Sequence, residues 1–219
     1  MEAVVRDALA VLPRFADDIE VTVIDDGSTD RTGQIADDLT RADGRVRVVH
    51  HGTRRGYGGA VRSGLLSATK RFIFFTDGDR QFKIADIGRL IAAIDGVDAV
   101  IGYRLKREDP PRARFVAWVY NRLIRVMFFG GFRDVDCAFK LFRREVFERV
   151  PLAHVRSNGA FFSAEMLITL RRAGIRIGEV GVPHYPRTAG KAKGQQPKVI
   201  IRAMGDLLRL RLRLWGLPL

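Results

Sequence analysis

The chain has 219 residues, of which 47% are hydrophobic and 29% are charged. This length and composition suit one globular domain with a small appendage and exclude a disordered or low-complexity protein. The 38 Lys and Arg residues exceed the 25 Asp and Glu residues, and the resulting net charge of +13 favours an anionic partner such as nucleic acid, a membrane surface or a phosphorylated small molecule.

The cysteine content and the hydropathy of the chain indicate the cellular compartment in which the protein works. Cys137 is the only cysteine, so an intramolecular disulfide is excluded and a reducing compartment is favoured. No signal peptide opens the chain, and no apolar run approaches the roughly 18–20 residues that span a bilayer. We therefore expect a cytoplasmic protein that lies peripherally on the inner face of the cell membrane without crossing it by itself.

The first element in chain order is a helix-like segment, EAVVRDALAVL, with no strand before it. An α/β domain usually begins with a strand that supplies one wall of its ligand crevice. Either the first strand is absent from this chain or the fold begins unusually.

Short runs rich in β-branched and aromatic residues then alternate with helical patterns. Strands are predicted at 20–24, 45–49, 71–75 and 98–102, and helices at 30–41, 57–69 and 83–94. The later half is less regular, with a helix near 112–129, a strand near 135–142, a helix near 160–172 and a strand near 175–182. This alternation predicts an α/β fold with a mainly parallel, Rossmann-like sheet flanked by helices.

The last segment contains LRLRLRL, which alternates with period two as a strand does. Its charged residues instead recur at spacings of three and four, which is typical of a helix: Lys198, Arg202, Asp206, Arg209 and Arg213. We predict a domain over residues 1–193 followed by a basic amphipathic helix over 194–219. Such a helix docks on a membrane surface or a partner protein, or packs on its own domain, and both alternatives stay open.

Polar motifs follow each of the first four predicted strands. They are DDGSTD at 25–30, HHGTRRGYGG at 50–59, DGDRQ at 77–81 and GYR at 102–104. Ligands of open α/β sheets bind just beyond the carboxyl ends of the strands. We therefore expect these four segments to converge on one rim that forms the binding site.

The motif DGDRQ suggests a metal site. Asp77, Asp79 and Gln81 stand two positions apart and can present three oxygen atoms to one hard cation, as Mg²⁺ and Mn²⁺ prefer. An ordinary Asp-Gly surface turn is the alternative. The position of the motif at the end of a buried strand favours the metal site.

Two other motifs carry weaker signals. In DDGSTDRT, Ser28, Thr29 or Asp30 is expected to cap the next helix, which leaves Asp25 and Asp26 to hold a base or ribose. The glycines of GYGGAVRSG lack the spacing of a dinucleotide-binding fingerprint, so they are expected to permit close backbone approach near phosphates. The four scattered histidines are assigned no catalytic role.

Together these residues resemble the inverting GT-A glycosyltransferases of family 2, and within them the dolichyl- or polyprenyl-phosphate sugar synthases that use mannose or glucose. The resemblance runs from about residue 20 to 193. It rests on VIDDGSTDRT, RRGYGGAVRSGL, FFTDGDRQF, VIGYR, RARFVAWVYNRLI, DVDCAFKLFRREVF, AEMLITLRRAGIRIGEV and PRTAGKAK.

The resemblance implies roles for single residues and a Mg²⁺ or Mn²⁺ cofactor. Asp77, Asp79 and Gln81 would bind the metal, and Asp79, Arg104 and Arg114 would act in catalysis. The nucleotide sugar would contact Asp25, Asp26, Gly56, Asp77, Asp79, Arg187, Lys191 and Lys193. The acceptor and sugar pocket would contain Arg104, Arg114, Asp134, Asp136 and Glu165, whereas Cys137 and Phe139 are expected in the core.

The residues also favour one acceptor class. A phosphate monoester is already anionic near neutral pH, so it needs arginines rather than a general base. The predicted function is therefore transfer of a hexose from a GDP- or UDP-sugar to a polyprenyl phosphate. Transfer to a saccharide hydroxyl is the runner-up, and an inactive family member that acts as a binding module is a further alternative. A membrane protein is a candidate partner. Nucleic-acid binding leaves the acidic motifs unexplained.

One departure from the family concerns the start of the chain. The family's first strand, which ends in a Pro-x-x-Asn-Glu-like motif, is not recognisable here, and we expect the fold to lack that strand. The closing loop also has Ala192 where Ser is usual.

Overall fold

The computed structural model describes residues 1–106, 111–128, 131–186 and 196–215, with the side chains of residues 111–113 and 197 left out. Helices and strands alternate over the first half of this range. They are α1 Glu2–Val11, β1 Val21–Asp25, α2 Thr32–Ala42, β2 Val46–His50, α3 Gly56–Ser67, β3 Phe72–Thr76, α4 Ile87–Ile91 and β4 Ala99–Arg104.

The second half continues with longer helices. Its elements are α5 Pro111–Met127, β5 Phe139–Arg143, α6 Glu145–Arg149, α7 Phe162–Arg172, β6 Ile177–Val182 and α8 Pro197–Leu214. Short 3₁₀ turns lie at Leu12–Arg14, Ile84–Asp86 and Leu152–His154. Among the described residues, no helix combines the length and the apolar character that crossing a membrane requires.

The strands form two sheets. β1 and β2 pair in parallel, while the other four strands form a sheet of order β3-β5-β4-β6. β5 is antiparallel to both of its neighbours, whereas β4 and β6 are parallel, so three strands of this sheet share one direction. The mainly parallel α/β sheet flanked by helices is thus confirmed. β1 and β3 each keep one edge that pairs with no strand in the described chain.

The larger core lies between the four-stranded sheet and the helices of the second half. It contains 24 buried hydrophobic residues and includes Ile73, Ile101, Phe142, Phe162 and Leu207. A second cluster covers the other face of this sheet and includes Cys137 and Phe139, as predicted for both residues. These two clusters hold the strand ends that carry the polar motifs.

A third, smaller cluster belongs to the first half of the chain. It consists of Val5, Val23, Ala36, Leu39 and Val46, from α1, β1, α2 and β2. Two polar contacts tie the entrance of β1 to that of β3: Lys70 Nζ lies 2.6 Å from Asp18, and Thr69 N donates to Glu20 at 2.6 Å. Helix α3 packs against both β1 and β3 and so spans the two sheets.

The sequence allows the C-terminal helix either to dock on a membrane or partner or to pack on its own domain. In the structure it packs on the domain. Pro197 occupies the first turn, where a missing backbone N–H costs nothing. Ala203, Leu207 and Leu210 are buried in the larger core. The boundary predicted at residue 193 lies outside the described residues.

Candidate active site

The carboxyl ends of β1 and β2 carry two neighbouring Asp–His pairs. The parallel register sets Asp25 opposite His50, and the next residue of each strand continues the same pairing. His50 Nδ1 lies 3.0 Å from Asp25 Oδ2, and its Nε2 lies 3.0 Å from Asp37 Oδ1. Hydrogen bonds to Asp37 and Asp25 raise the pKa of His50 above its ordinary value.

Asp25 is buried at the end of β1, where the turn that leads to α2 begins. Its Oδ1 accepts a hydrogen bond from Ser28 N at 3.1 Å. Hydrogen bonds from Ser28 and His50 lower the pKa of Asp25, although burial opposes them. Asp30, in turn, accepts from Thr32 N at 3.0 Å. The N-cap residue of α2 is Arg31, which makes no side-chain capping bond, so the N-cap predicted at Ser28, Thr29 or Asp30 is wrong by position.

Asp26 joins the turn that follows β1 to the segment between β2 and α3. It accepts from the backbone N–H groups of Arg55 at 2.8 Å and Gly56 at 2.9 Å, and it lies 2.7 Å from Nδ1 of the buried His51. His51 Nε2 is 2.9 Å from Ser63 Oγ, so the ring is held from both sides. Burial acts to raise the pKa of Asp26, but the bonds from His51, Arg55 and Gly56 outweigh it and lower the pKa.

The glycines at the start of α3 serve close packing. Gly56 has φ +81°, and a Cβ atom there would lie 2.9 Å from the carbonyl oxygen of Asn158. A Cβ atom on Gly58 would lie 2.6 Å from Cβ of Phe162 on α7. These glycines therefore let the start of α3 approach Asn158 and α7. The sequence predicted close backbone approach but not this packing partner.

The DGDRQ turn follows β3 directly. Gln81 N donates to Asp79 Oδ1 at 3.0 Å, and Arg80 takes a left-handed conformation with φ +66°. The backbone N–H of Tyr185 donates to Gln81 O at 2.9 Å, while Gln81 Nε2 lies 3.4 Å from Tyr185 O. The turn is thus fixed at both ends and anchored to the chain that follows β6.

The donor chemistry of this turn fits a hard divalent cation. Asp77 and Asp79 have carboxylate oxygens, and Gln81, whose side-chain nitrogen faces Tyr185, has an amide oxygen. These are the donor atoms that Mg²⁺ and Mn²⁺ prefer. Within the described ranges, however, His, Cys, Asp and Glu side chains do not come together in groups of three or more that could hold a metal. The metal set therefore stays a prediction.

Arg104, the last residue of β4, forms a bidentate pair with Asp134. The distances are 2.6 Å from Nε to Oδ2 and 2.7 Å from Nη2 to Oδ1, and both side chains are largely buried. Burial acts to lower the pKa of Arg104, but Asp134 raises it above its ordinary value. This pair fixes the segment that leads into β5.

An arginine-rich pocket opens beside that pair. Its volume is about 210 Å³, and it lies between the end of β4, helix α5 and the segment before β5. Five of its lining residues are arginines and one is an acid. The lining residues are Tyr103, Arg104, Arg114, Trp118, Asn121, Arg122, Arg125, Arg133 and Asp134.

Arg104, Arg114 and Asp134, which the sequence grouped together, thus meet in one pocket. Asn121 holds its floor, because Asn121 Oδ1 accepts from Val135 N at 3.2 Å while its Nδ2 donates to Ala117 O at 2.9 Å.

The segment 134–137 connects this pocket to the DGDRQ turn. Asp134 faces Arg104 on the pocket side. On the other side, Thr76 at the end of β3 pairs with Phe139 of β5, which places the DGDRQ turn beside the chain that leads from Cys137 into β5. Burial raises the pKa of the Cys137 thiol to about 12. Asp136, between Asp134 and Cys137 in the chain, is half-buried. The predicted metal turn and the arginine-rich pocket are therefore neighbours across one short segment.

A buried lysine lies beneath the same segment. Lys140 is fully buried in β5, donates to the carbonyl of Cys137, and has its ammonium 5.8 Å from the Phe75 ring centroid. Burial lowers the pKa of Lys140, and Cys137, Asp136 and other acids nearby oppose that shift. The predicted strand near 135–142 includes Lys140, but the strand pattern does not predict a buried ammonium.

Glu165 does not join the other predicted site residues. It is buried in α7, accepts from Arg156 N at 3.1 Å and Ser157 N at 2.8 Å, and pairs with Arg213 of α8. Its carboxylate holds a loop and a helix together.

The remaining predicted residues, Arg187, Lys191 and Lys193, lie outside the described residues. Sequence reasoning missed His50 and His51, and the signal that could have found them is the pairing of HH after the second strand with DD after the first.

Comparison with known proteins places the chain in a family. The model of the family described as "Glycosyl transferase family 2" matches residues 2–150. The chain belongs to glycosyl transferase family 2. It is 34% identical over 217 residues to glycosyltransferase AglD of Haloferax volcanii, covering 95% of this chain but 34% of that protein.

Other relatives in this family carry names that state an acceptor. The chain is 30% identical to polyprenol monophosphomannose synthase of Mycolicibacterium smegmatis, with 80% of this chain and 70% of that protein covered. It is 29% identical to the dolichyl-phosphate beta-glucosyltransferase of Saccharomyces cerevisiae, with 80% and 60% covered.

The fold matches solved structures of other proteins. Glucosyl-3-phosphoglycerate synthase from Mycobacterium tuberculosis, in a complex with Mn²⁺, UDP and its product, superposes with a TM-score of 0.71 at 19% identity, covering 99% of this chain and 77% of that one. This likeness establishes the GT-A fold.

Proposed function

We propose that this chain transfers a hexose from a nucleotide diphosphate sugar to a polyprenyl phosphate, with inversion at the anomeric carbon. The observation that carries the proposal is that the arginine-rich pocket and the DGDRQ turn lie on either side of the short segment that leads into β5. A pocket with five arginines suits a phosphate, and a turn rich in carboxylates suits a metal-bound diphosphate. The names of the relatives at 29–30% identity support a polyprenyl or dolichyl phosphate acceptor.

On the donor side, Asp77, Asp79 and Gln81 would hold Mg²⁺ or Mn²⁺. The ion, when bound, neutralises the charge that develops on the departing diphosphate. Asp25 and Asp26 would form the nucleoside wall, with Gly56 beside it. Arg187, Lys191 and Lys193 would close over the diphosphate.

On the acceptor side, Arg114, Arg122 and Arg125 of α5 would bind the lipid phosphate through charge-assisted hydrogen bonds. Arg104 acts through Asp134, since their bidentate pair sets the wall of the pocket. The phosphate oxygen is already anionic, so it attacks without a general base. Attack from the side opposite the diphosphate makes one displacement, which inverts the configuration.

This acceptor also sets the location. A polyprenyl chain is retained by the bilayer, so the enzyme would work at a membrane surface, on the cytoplasmic face where a reduced thiol such as Cys137 is expected. A membrane-protein partner would be compatible with that position. Transfer to a saccharide hydroxyl is less well supported, because the pocket's single acid, Asp134, is already paired with Arg104.

The donor half is tested with Asp79→Ala in a transfer assay with Mn²⁺, polyprenyl phosphate, and GDP-mannose or UDP-glucose. We expect kcat to fall by about a hundredfold or more, because the diphosphate loses electrostatic stabilisation. The exposed Asp95 provides a matched control, and Asp95→Ala should keep full activity. Full activity of Asp79→Ala would refute the metal assignment.

The acceptor half is tested with Arg114→Ala. The KM for polyprenyl phosphate should rise about tenfold or more, while the KM for the donor stays within about twofold, because a charged hydrogen bond to the phosphate is lost. The control is Arg14→Ala, which changes an exposed arginine near the start of the chain that does not line the pocket. A rise confined to the donor KM would move Arg114 to the diphosphate, and preference for a saccharide acceptor would overturn the lipid assignment.

A further inference from the structure

Helix α8 has two apolar faces, although a helix packed on a domain needs one. The inner face consists of Ala203, Leu207 and Leu210, which are buried in the larger core. Because the inner face packs against the domain, its residues cannot contact a membrane or a partner.

The outer face carries a second apolar line. Ile201 is 72% exposed, Leu208 53% and Trp215 62%. Their spacing of seven residues keeps them on one side of a helix with a drift of about 20° per interval, and the line extends over about 21 Å. Three large apolar side chains held in water along one line indicate a docking surface. We call these three residues the outer stripe.

Cations flank the outer stripe on one side. Lys198, Arg202 and Arg209 are exposed and, at 100° per residue, project roughly 60–100° around the helix from Ile201. Arg209 also pairs with Asp206 at 2.9 Å. An apolar line bordered by Lys and Arg is the pattern of a helix that lies in the interface of an anionic bilayer.

The helix is held firmly against the body of the protein. Ser157 Oγ donates to Asp206 Oδ2 at 3.0 Å, and Arg213 pairs with the buried Glu165. The outer stripe is therefore displayed at a fixed orientation and cannot turn inward without breaking these contacts.

Charge decides between occupants of this surface. A second copy would bring another basic helix and another net charge of +13 against the first, which repels. An anionic bilayer complements the cations and accepts the apolar line together with a terminal tryptophan, a residue that prefers the membrane interface. We propose that the outer stripe of α8 docks this protein on an anionic lipid bilayer. Vesicle binding needs neither donor nor acceptor, so this inference stands or fails separately from the proposed transferase activity.

The two tryptophans of the chain allow a direct test. Trp118→Phe leaves Trp215 on α8 as the only reporter, and Trp215→Phe leaves Trp118 on α5. Both are about equally exposed, at 62% and 64%. With phosphatidylglycerol-containing vesicles, Trp215 emission should shift to the blue and be quenched by brominated acyl chains, while vesicles of phosphatidylcholine alone should give little shift.

Substitution of the stripe gives the energetic test. Ile201→Ser with Leu208→Ser should weaken binding to the anionic vesicles about tenfold or more, because two large apolar side chains no longer enter the bilayer. Leu66→Ser, at a site on α3 that is 64% exposed, is the matched control and should bind like the parent. Arg202→Gln should weaken binding roughly fivefold, with less effect at high salt.

Three results would overturn the proposal. One is that the Ile201→Ser, Leu208→Ser variant unfolds at the same temperature as the parent and still binds the vesicles with the same affinity. Another is quenching of Trp118 without quenching of Trp215, which would assign docking to α5. The third is loss of self-association in that variant by analytical ultracentrifugation, with no vesicle binding by the parent, which would assign the stripe to a second copy.

Discussion

At the scale of single residues, two Asp–His pairs shape the carboxyl ends of β1 and β2. Asp26 has three partners, and two of them are backbone N–H groups of the turn that opens α3. The helix N-terminus is therefore held by a side chain of the protein itself, in the manner of a cap supplied from another strand. The third partner, the buried His51, lies 2.7 Å from Asp26 Oδ1 and helps to hold that carboxylate in place.

The neighbouring His50 makes stability depend on pH. Asp37 and Asp25 raise its folded-state pKa above the ordinary value, so its contribution is complete below the unfolded pKa of about 6.5 and is lost as pH rises through the folded pKa. His50→Gln should therefore cost more stability at pH 5.5 than at pH 8.5, as measured by urea unfolding. Since the side chain is 44% exposed, solvent screening limits the effect. Equal losses at both pH values would contradict this pairing.

Sequence reasoning could reach these residues only in part. It placed Asp25, Asp26 and the HH motif at strand ends, because strand propensity and polar breaks are local signals. The pairing required the register of β1 against β2, which sets Asp25 beside His50 and which no local pattern encodes. The bidentate Arg104–Asp134 pair joins residues 30 positions apart in the sequence and was equally hidden.

At the scale of elements, helix α3 is shaped by what it must pack against. The first four predicted strands begin within one residue of the observed ones, because the hydrophobic run decides where a strand lies, whereas β5 and β6 begin later than predicted, at Phe139 rather than 135 and at Ile177 rather than 175. The direction of β5 could not be predicted, since alternation looks the same in both directions. The reason for the α3 glycines was also hidden, because it depends on α7, about 100 residues later.

Two helical glycines offer a matched pair. Gly58→Ala places a Cβ atom 2.6 Å from Phe162 Cβ and 2.9 Å from the Asn158 backbone, so α3 and α7 must move apart, at a cost of about 1–3 kcal/mol. Gly205→Ala on α8 meets nothing within 4 Å and should stabilise the protein by about 0.5–1 kcal/mol. Both are measured by denaturant unfolding. Effects of the same sign and size would contradict close packing at Gly58.

At the scale of the whole molecule, stability is distributed unevenly. The β1–β2 half rests on a cluster of five buried hydrophobic residues, whereas the four-stranded sheet is covered by clusters of 24 and eight. Apolar burial supplies most of the free energy that keeps a region closed. The two halves therefore have different resistance to opening.

Hydrogen exchange at low denaturant should reveal this difference. Amides of β1 and β2 should exchange through openings of lower free energy than amides of β4 and β5, because less apolar surface holds them. Mass spectrometry of proteolytic fragments resolves the two sheets. The Ala36→Gly variant should lower protection in β1 and β2 and leave β4 and β5 unchanged. A single free energy for all strands would indicate one cooperative unit.

The burial of Cys137 has a practical consequence for such experiments. Its thiol is fully enclosed in the cluster beside the four-stranded sheet, and its pKa of about 12 keeps it protonated and unreactive. An electrophilic dye added to the native protein will therefore leave the single native thiol untouched. A cysteine introduced at an exposed position can be labelled selectively with the natural one still in place, and delayed modification of Cys137 then marks the moment when the centre of the protein opens.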